Sequence, residues 1–220
     1  MVRHRPVTRL FLAVALIIQF TGCDDTPSAP IVWDLLDSHR LMDWKPAENE
    51  DQGRTSITAQ ALRLEEGRPM TGLVYTAWER EGFPTNRYAV SYEARRTKGT
   101  DFFAALTFPV NDSHLTFVPG GWSGATTGLS NIDGMAAIDN PTGSAQRFEQ
   151  GVWYRFRIEV RPETIRVWMN ERLIINLHLA GRSIDLKLGD IEKCRPFGFA
   201  SYGTEGEIRA VKMETLPDES

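Results

Sequence analysis

The chain has 220 residues, 41% of them hydrophobic, which is enough to bury the core of one domain. Its net charge is −4 and no basic block lies beyond the first residues, which argues against nucleic acid as a partner. Two cysteines, Cys23 and Cys194, with four scattered histidines, make neither a disulfide framework nor a zinc pattern, so burial alone must hold the fold.

The chain opens on a basic stretch (Arg3, His4, Arg5, Arg9), then an apolar run at residues 10–20, then Thr21-Gly22-Cys23. A bilayer-spanning helix takes about 20 apolar residues, so this run is too short to cross, and residues 1–23 read as a secretory signal peptide. The ending FTGC resembles the lipobox of bacterial lipoproteins. That resemblance implies that Cys23 is lipidated and that the protein is anchored to a membrane of the bacterial cell envelope. Cys194 is then left without a partner; a Cys23–Cys194 disulfide is the alternative, and it would tie a tail to the core. Residues 24–30 (DDTPSAP) form a tether, and residues 31–217 form the domain.

The domain reads as β throughout. Alternation predicts strands at residues 57–64 and 73–78, then at 88–96 with Tyr88, Val90, Tyr92 and Ala94 on one face. Residues 102–110 follow, with Phe102, Ala104, Leu106, Phe108 and Val110 on one face, then a short strand at 115–118. Residues 119–142 are rich in Gly, Ser, Thr, Asn and Asp and read as a long loop, either functional or wrapped over a sheet edge. The clearest strand is 152–160, where Val152, Tyr154, Phe156, Ile158 and Val160 alternate with Trp153, Arg155, Arg157 and Glu159. Turn chemistry at Arg161-Pro162-Glu163-Thr164 and at Asn170-Glu171 joins it to strands at 165–169 and 173–179, a three-stranded meander. Strands at 197–202 and 208–213 close the set. Many strands at short spacing, with no helical period, predict an all-β, two-sheet antiparallel jelly-roll sandwich with helix confined to the signal segment and short turns.

The run WYRFRIEV–RPET–IRVWMNERLII resembles a hairpin of the concanavalin A-like lectin/glucanase superfamily. The opening VWDLLDSHRLMDWKP, through Leu36, Leu41 and Trp44, resembles the entry motif of the 3-keto-disaccharide hydrolase family, also described as glycoside hydrolase 16-like. The last hairpin, with Gly203 before a strand starting at Ile208, is similar as well. The resemblance implies a jelly roll with ligand on its concave face and an activity on carbohydrate.

Retaining glucanases of that superfamily carry paired carboxylates on one strand face, about 5 Å apart. No such pair exists here, since Glu159 stands beside Arg157 and Arg161 with no second acid at the right spacing. The catalytic candidates are Glu93, on the polar face of its strand, Asp101, which precedes an apolar strand, and His114, in a turn and suited to acid–base work near neutral pH. Each has a plainer reading: a surface ion pair, a turn cap and an idle exposed histidine. The ligand-binding candidates are Arg95, Trp122, Asp133 and Asp139. Trp122 stands between glycines in GGWSG, where its indole could stack on a sugar or simply be buried. Asp133, Asp139 and Asn140 are oxygen donors in a Gly-rich loop, a composition compatible with Ca²⁺, and no other cofactor is expected. Ligand is expected where residues 119–142 meet the strands at 88–96 and 102–110. Two functions fit: hydrolysis of a glycoside or disaccharide derivative, and a non-catalytic lectin-like module that binds carbohydrate or another partner.

Overall fold

A computed structural model describes residues 29–218; residues 1–28, with the signal segment, Cys23 and most of the tether, lie outside the described residues, as do residues 219–220. The expected two-sheet sandwich is what the chain forms, with all strand pairs antiparallel. In chain order the strands are β1 (Val32–Asp34), β2 (Trp44–Pro46), β3 (Thr55–Ile57), β4 (Leu62–Leu64), β5 (Met70–Tyr75), β6 (Tyr88–Lys98) and β7 (Ala105–Val110). They continue as β8 (Ser113–Gly120), β9 (Thr126–Ser130), β10 (Tyr154–Val160), β11 (Thr164–Met169), β12 (Arg172–His178), β13 (Gly198–Tyr202) and β14 (Glu205–Thr215). One sheet runs β12-β11-β10-β6-β14-β4-β3, with β1 also on β14; the other runs β2-β5-β13-β7-β8-β9. Among the described residues no helix is long and apolar enough to cross a membrane.

The eight-stranded sheet alternates because only its inner face is covered. Tyr154, Phe156, Ile158 and Val160 are buried while Arg155, Arg157 and Glu159 point outward, as their spacing predicts. Val152 departs from that reading: the strand begins two residues later and Val152 is 42% exposed. The outer face carries ion pairs laid across strands, including Arg209–Glu93 at 2.7 Å, Arg95–Glu207 at 2.6 Å and Arg157–Glu214 at 2.6 Å. The Asn170-Glu171 turn is a two-residue hairpin with both residues at positive φ (46° and 68°), the geometry whose twist matches the flanking strands.

The six-stranded sheet is covered on both faces. Its inner face holds one row of large residues across five strands, Leu73–Phe199–Leu106–Phe117–Leu129. The neighbouring outer rows are small: Gly72–Ala200–Ala105, and Val74–Gly198–Thr107–Thr116–Ser130. Glycine is needed where the Asp190–Cys194 turn lies flat on this face. A Cβ on Gly72 would stand 3.0 Å from Cys194 Sγ, and one on Gly198 would stand 2.8 Å from the Cys194 carbonyl oxygen.

Several expected elements differ. The strand expected at 57–64 is a hairpin, β3 and β4 joined by a turn in which the Thr58 amide donates to the Ala61 carbonyl, and the strand expected at 73–78 is β5, which begins at Met70 and ends at Tyr75. Residues 119–142 are not one loop: Gly121–Gly124 is a tight turn, β9 pairs with β8 as the sheet edge, and the chain then folds back so that Ser144 pairs with Thr127 on the far side of β9. The second reading of that segment, as an edge cover, thus holds for its latter part. Phe102 does not share the inner face with Leu106. The chain switches before β7, sending Phe103 into the core and Phe102 to the outer face.

Between the sheets, Tyr92 and Phe156 rings lie 5.2 Å apart, Phe117 sits 5.5 Å from Phe156, and Phe199 sits 5.0 Å from Tyr92. The Tyr88 hydroxyl donates to the Pro109 carbonyl at 2.6 Å, joining the two layers. Phe156, 2% exposed, stands at the centre of this cluster. Phe156→Ala is expected to cost about 3–5 kcal/mol in denaturant unfolding, since it leaves a cavity between two rigid sheets; a loss under about 1 kcal/mol would show that the cluster can collapse and is not the core.

Candidate functional site

A cleft of about 380 Å³ opens on the outer face of the six-stranded sheet. Its floor is the small-residue surface just described, through Ala105, Thr116 and Ser130. Small side chains leave this depth because nothing larger could fit beneath the segments that cross the face.

Three irregular segments make the walls. The first is the approach to β7. Asp101 Oδ1 accepts the Phe102 amide at 2.8 Å, and the switch there turns Phe102 outward against Tyr202, with ring centroids 5.7 Å apart. The second is the Gly121–Gly124 turn. Trp122 (φ 51°) and Ser123 (φ 58°) both adopt left-handed backbone, which side chains with a Cβ seldom take. Asp101 Oδ2 accepts the Ser123 amide at 2.7 Å. The half-buried Trp122 indole thereby forms one side of the cleft. The third is a strap at residues 187–191, secured where Cys194 packs onto Gly72 and Gly198. Leu188 on this strap is 84% exposed beside the cleft, and Asp190 Oδ1 takes Lys193 Nζ at 3.3 Å. Burial pushes the Cys194 thiol up to about 12, with the Asp190 charge adding to the effect. This cysteine is a neutral packing group under the strap.

The residues expected to carry chemistry are not all brought together. Asp101 and Trp122 line the cleft. Glu93 and Arg95 do not; they project from the outer face of the other sheet, across the sandwich. There Glu93 takes Arg209 Nε at 2.8 Å, and Arg95 donates to Glu207 while lying 4.7 Å from the Trp153 ring centre. The expected convergence of these two with Trp122 is therefore replaced by a solvated ion-pair lattice. His114 sits opposite Pro109 in β8, half-buried, with Nδ1 3.5 Å from an Arg195 nitrogen, and it is not among the residues lining the cleft. Asp133 is held by Arg182 at 2.7 Å and by the Ser183 amide at 2.9 Å, which keep its carboxyl below the usual range. Asp139 is exposed on the returning segment, away from the cleft. The buried Asn140 staples that segment: its amide donates to the Leu129, Met135 and Ala136 carbonyls. Among the described residues no group of three or more His, Cys, Asp and Glu side chains is placed to hold a metal ion.

The sequence reading missed Phe102 as a wall residue, and it missed Tyr202, Lys187, Leu188 and Asp190 altogether. Phe102 fits an alternating run. The others come from chain segments that only the β13–β7 pairing brings to this face.

Chemically, the cleft offers flat apolar walls over a floor with hydroxyls. Of its two carboxylates, Asp101 has both oxygens committed to backbone amides and Asp190 is paired with a lysine.

A family model described as a 3-keto-alpha-glucoside-1,2-lyase-like domain matches residues 33–214. No curated protein matches the chain by sequence. Among solved structures, the carbohydrate-binding module CBM66 from Bacillus subtilis aligns with a TM-score of 0.51 at 10% identity, covering 79% of this chain and 96% of that one. The Crh5 transglycosylase aligns at 0.56 and 8% identity, covering 86% and 85%. Domain 4 of AbnA, an extracellular arabinanase from Geobacillus stearothermophilus solved with arabinotriose, aligns at 0.50 and 14%, covering 86% and 92%. At these identities the likeness is one of fold.

Burial first, and the Arg195 charge second, hold His114 neutral by lowering its pKa from 6.5 to about 4. The unfolded chain takes up this proton at higher pH than the folded one. Stability from this group is therefore full above pH 6.5, falls as pH drops below it, and levels off near pH 4. His114→Gln should flatten the melting temperature across that window; an unchanged pH profile would mean His114 titrates alike in both states.

Proposed function

The chain belongs to the family of 3-keto-alpha-glucoside-1,2-lyase-like domains, and on that premise we propose that it binds carbohydrate in the cleft between Trp122 and the 187–191 strap. The observation that carries the reading is the aromatic wall, with Trp122 on one side and Phe102 and Tyr202 nearby, over a hydroxyl-bearing floor. A pyranose has one face of C–H groups that suits an indole, and hydroxyls that need partners. Ser130 Oγ accepts the Ala137 amide and keeps its own proton to donate, and the hydroxyl pair Thr107–Thr116 keeps one proton free. The volume suits one or two sugar rings better than a long chain.

Binding is the better-supported half of the function. Two-carboxylate glycoside hydrolysis needs an acid and a second free carboxylate across the scissile bond, and Asp101 is spent on backbone amides. The second reading is cleavage of a 3-keto glucoside or a related disaccharide derivative, and family membership favours it. Elimination across C1 and C2 of a 3-keto sugar needs one carboxylate: it takes the C2 proton that the ketone acidifies, the C1–O bond breaks as the C1=C2 double bond forms, and the carboxylic acid so made returns the proton to the leaving oxygen. Asp190 is the cleft carboxylate whose bonding, a single lysine contact, suits that role.

The reading extends to location. The signal segment and the FTGC ending support export, with lipidation at Cys23 and the domain displayed from a membrane of the cell envelope. Cys23→Ala should move the protein from the membrane fraction to the soluble exported fraction. A variant that stays in the membrane would mean that residues 10–20 act as an uncleaved anchor.

The cleft reading is tested with a glycan array and a product assay run on the same sugars, 3-keto glucosides included. Trp122→Ala should weaken binding by about a hundredfold, to a level still measurable by titration, and leave the melting temperature nearly unchanged. A large loss of melting temperature with binding retained would make the indole a structural plug. Asp190→Asn should abolish product formation while binding persists if the second reading holds.

A further inference from the structure

We infer that Asp101 is a positioning residue that sets the Trp122 indole for ligand, acting through the backbone; this rests on the cleft being the carbohydrate site. Asp101 stood among the acid–base candidates because it is an aspartate beside an apolar strand. Its surroundings assign it a different task. One carboxylate oxygen accepts the Phe102 amide at 2.8 Å and the other accepts the Ser123 amide at 2.7 Å. The Asp101 amide itself donates to Thr204 Oγ1 at 3.1 Å, which ties this point to the β13–β14 hairpin.

The turn needs such a hold. Gly120, Trp122, Ser123 and Gly124 all have positive φ (68°, 51°, 58° and 88°), and two of the four carry a Cβ. Left-handed backbone at Trp and Ser relaxes unless its amides find acceptors there. The Ser123 amide finds one in Asp101. The flanks are also fixed: the Gly120 amide donates to Thr127 Oγ1 at 3.0 Å, and Arg96 donates to the Thr100 carbonyl at 2.8 Å beneath Gly124. Asp101 thus joins the two aromatic walls, since its two oxygens bond the amides of Phe102 and of the residue after Trp122. A charged acceptor makes both bonds short and strong.

Such a residue acts only by way of the ring it holds, and a double-mutant cycle on the full chain separates this from direct contact. Trehalose and arabinotriose are the probes, titrated calorimetrically against wild type, Asp101→Ala, Trp122→Ala and the double variant. Asp101→Ala should weaken binding by at least about tenfold alone and by less than about twofold in the Trp122→Ala background. A ligand-free readout accompanies it. The emission component lost in Trp122→Phe isolates this indole, and Asp101→Ala should make that component more accessible to acrylamide. Asp101→Asn, which retains one acceptor oxygen, should fall between; it replaces Asp101→Ala if that variant does not fold. An undiminished Asp101→Ala effect without Trp122, or an unaltered Trp122 component, overturns the inference. If Trp122→Ala binds as wild type does, the carbohydrate reading of the cleft falls, and the emission component alone decides whether Asp101 sets the indole.

Discussion

The six-stranded sheet must be covered on both faces, and most of what distinguishes this molecule follows from how that is done. The inner face meets the other sheet with Leu73, Phe199, Leu106, Phe117 and Leu129, a layer about as thick as any sandwich core. The outer face has no second sheet. It is covered by turns and straps, which are thin and which bring their own backbone polar groups. Such segments can lie on a sheet only if the side chains beneath them are small. Gly72, Gly198, Ala200, Ala105 and Thr107 meet that demand. Where the cover stops, the same small residues leave a depression, and that depression is the cleft. Packing and site therefore share one cause.

The other sheet solves the same problem with charge. Its outer face has Arg and Glu opposite one another across strands, and Arg209 lies 4.0 Å from the Trp153 ring centre. Each exposed pair contributes little, since solvent screens it. Together they satisfy a broad sheet face without a covering layer, and they leave few charged groups free for ligand. Both outer faces carry a recess, but the one on the eight-stranded sheet is walled by Glu93, Arg155, Arg157 and Glu159, charges already paired with one another or with neighbours, whereas the one on the six-stranded sheet has apolar aromatic walls. This contrast is the physical reason for placing recognition on the six-stranded sheet.

This contrast also explains what could be read from the chain. Strands with one wet face are legible, because Arg155, Arg157 and Glu159 interrupt the apolar set at every second position. The strand β9 is not legible. Thr126–Ser130 is buried throughout and contains Gly128, on which a Cβ would stand 3.2 Å from Gly143, so neither alternation nor an apolar run marks it. Alternation likewise shows that Glu93 and Arg95 share a face, but which side of the sandwich carries the aromatic-walled cleft is decided by segments as distant as residues 187–191 and 198–202. Trp122 and Asp101 could be singled out because each is odd locally: an indole among glycines, and a carboxylate at the head of an apolar strand. Tyr202, Leu188 and Asp190 carry no local mark; β13 pairing beside β7 and the Cys194 anchor bring them in. Phe102 is hidden because the chain changes face between it and the start of β7 at Ala105.

The two sides of the cleft are held in different ways. Hydrogen bonds fix the Trp122 side: Asp101 and Thr127 accept backbone amides of the turn, and Arg96 holds the Thr100 carbonyl beside Gly124. The strap side is held at its flanks, by the Asn131–Asp185 backbone pair before it and, after it, by Lys193 Nζ on the Glu48 carbonyl, Cys194 Sγ on the Phe199 carbonyl and Cys194 packed against two glycines, while Leu188 projects into water. A hydrogen-bonded turn has one geometry and presents its ring already ordered, so little conformational entropy would be lost if a sugar stacked on it as proposed. The strap between these ties presents side chains, Leu188 above all, rather than a fixed ring. An exposed leucine there gains by being covered. This asymmetry suits a site in which the indole sets the orientation of a ring and the strap adapts to what is attached to it. Selectivity among sugars would then reside in residues 187–191, and affinity in the turn around Trp122.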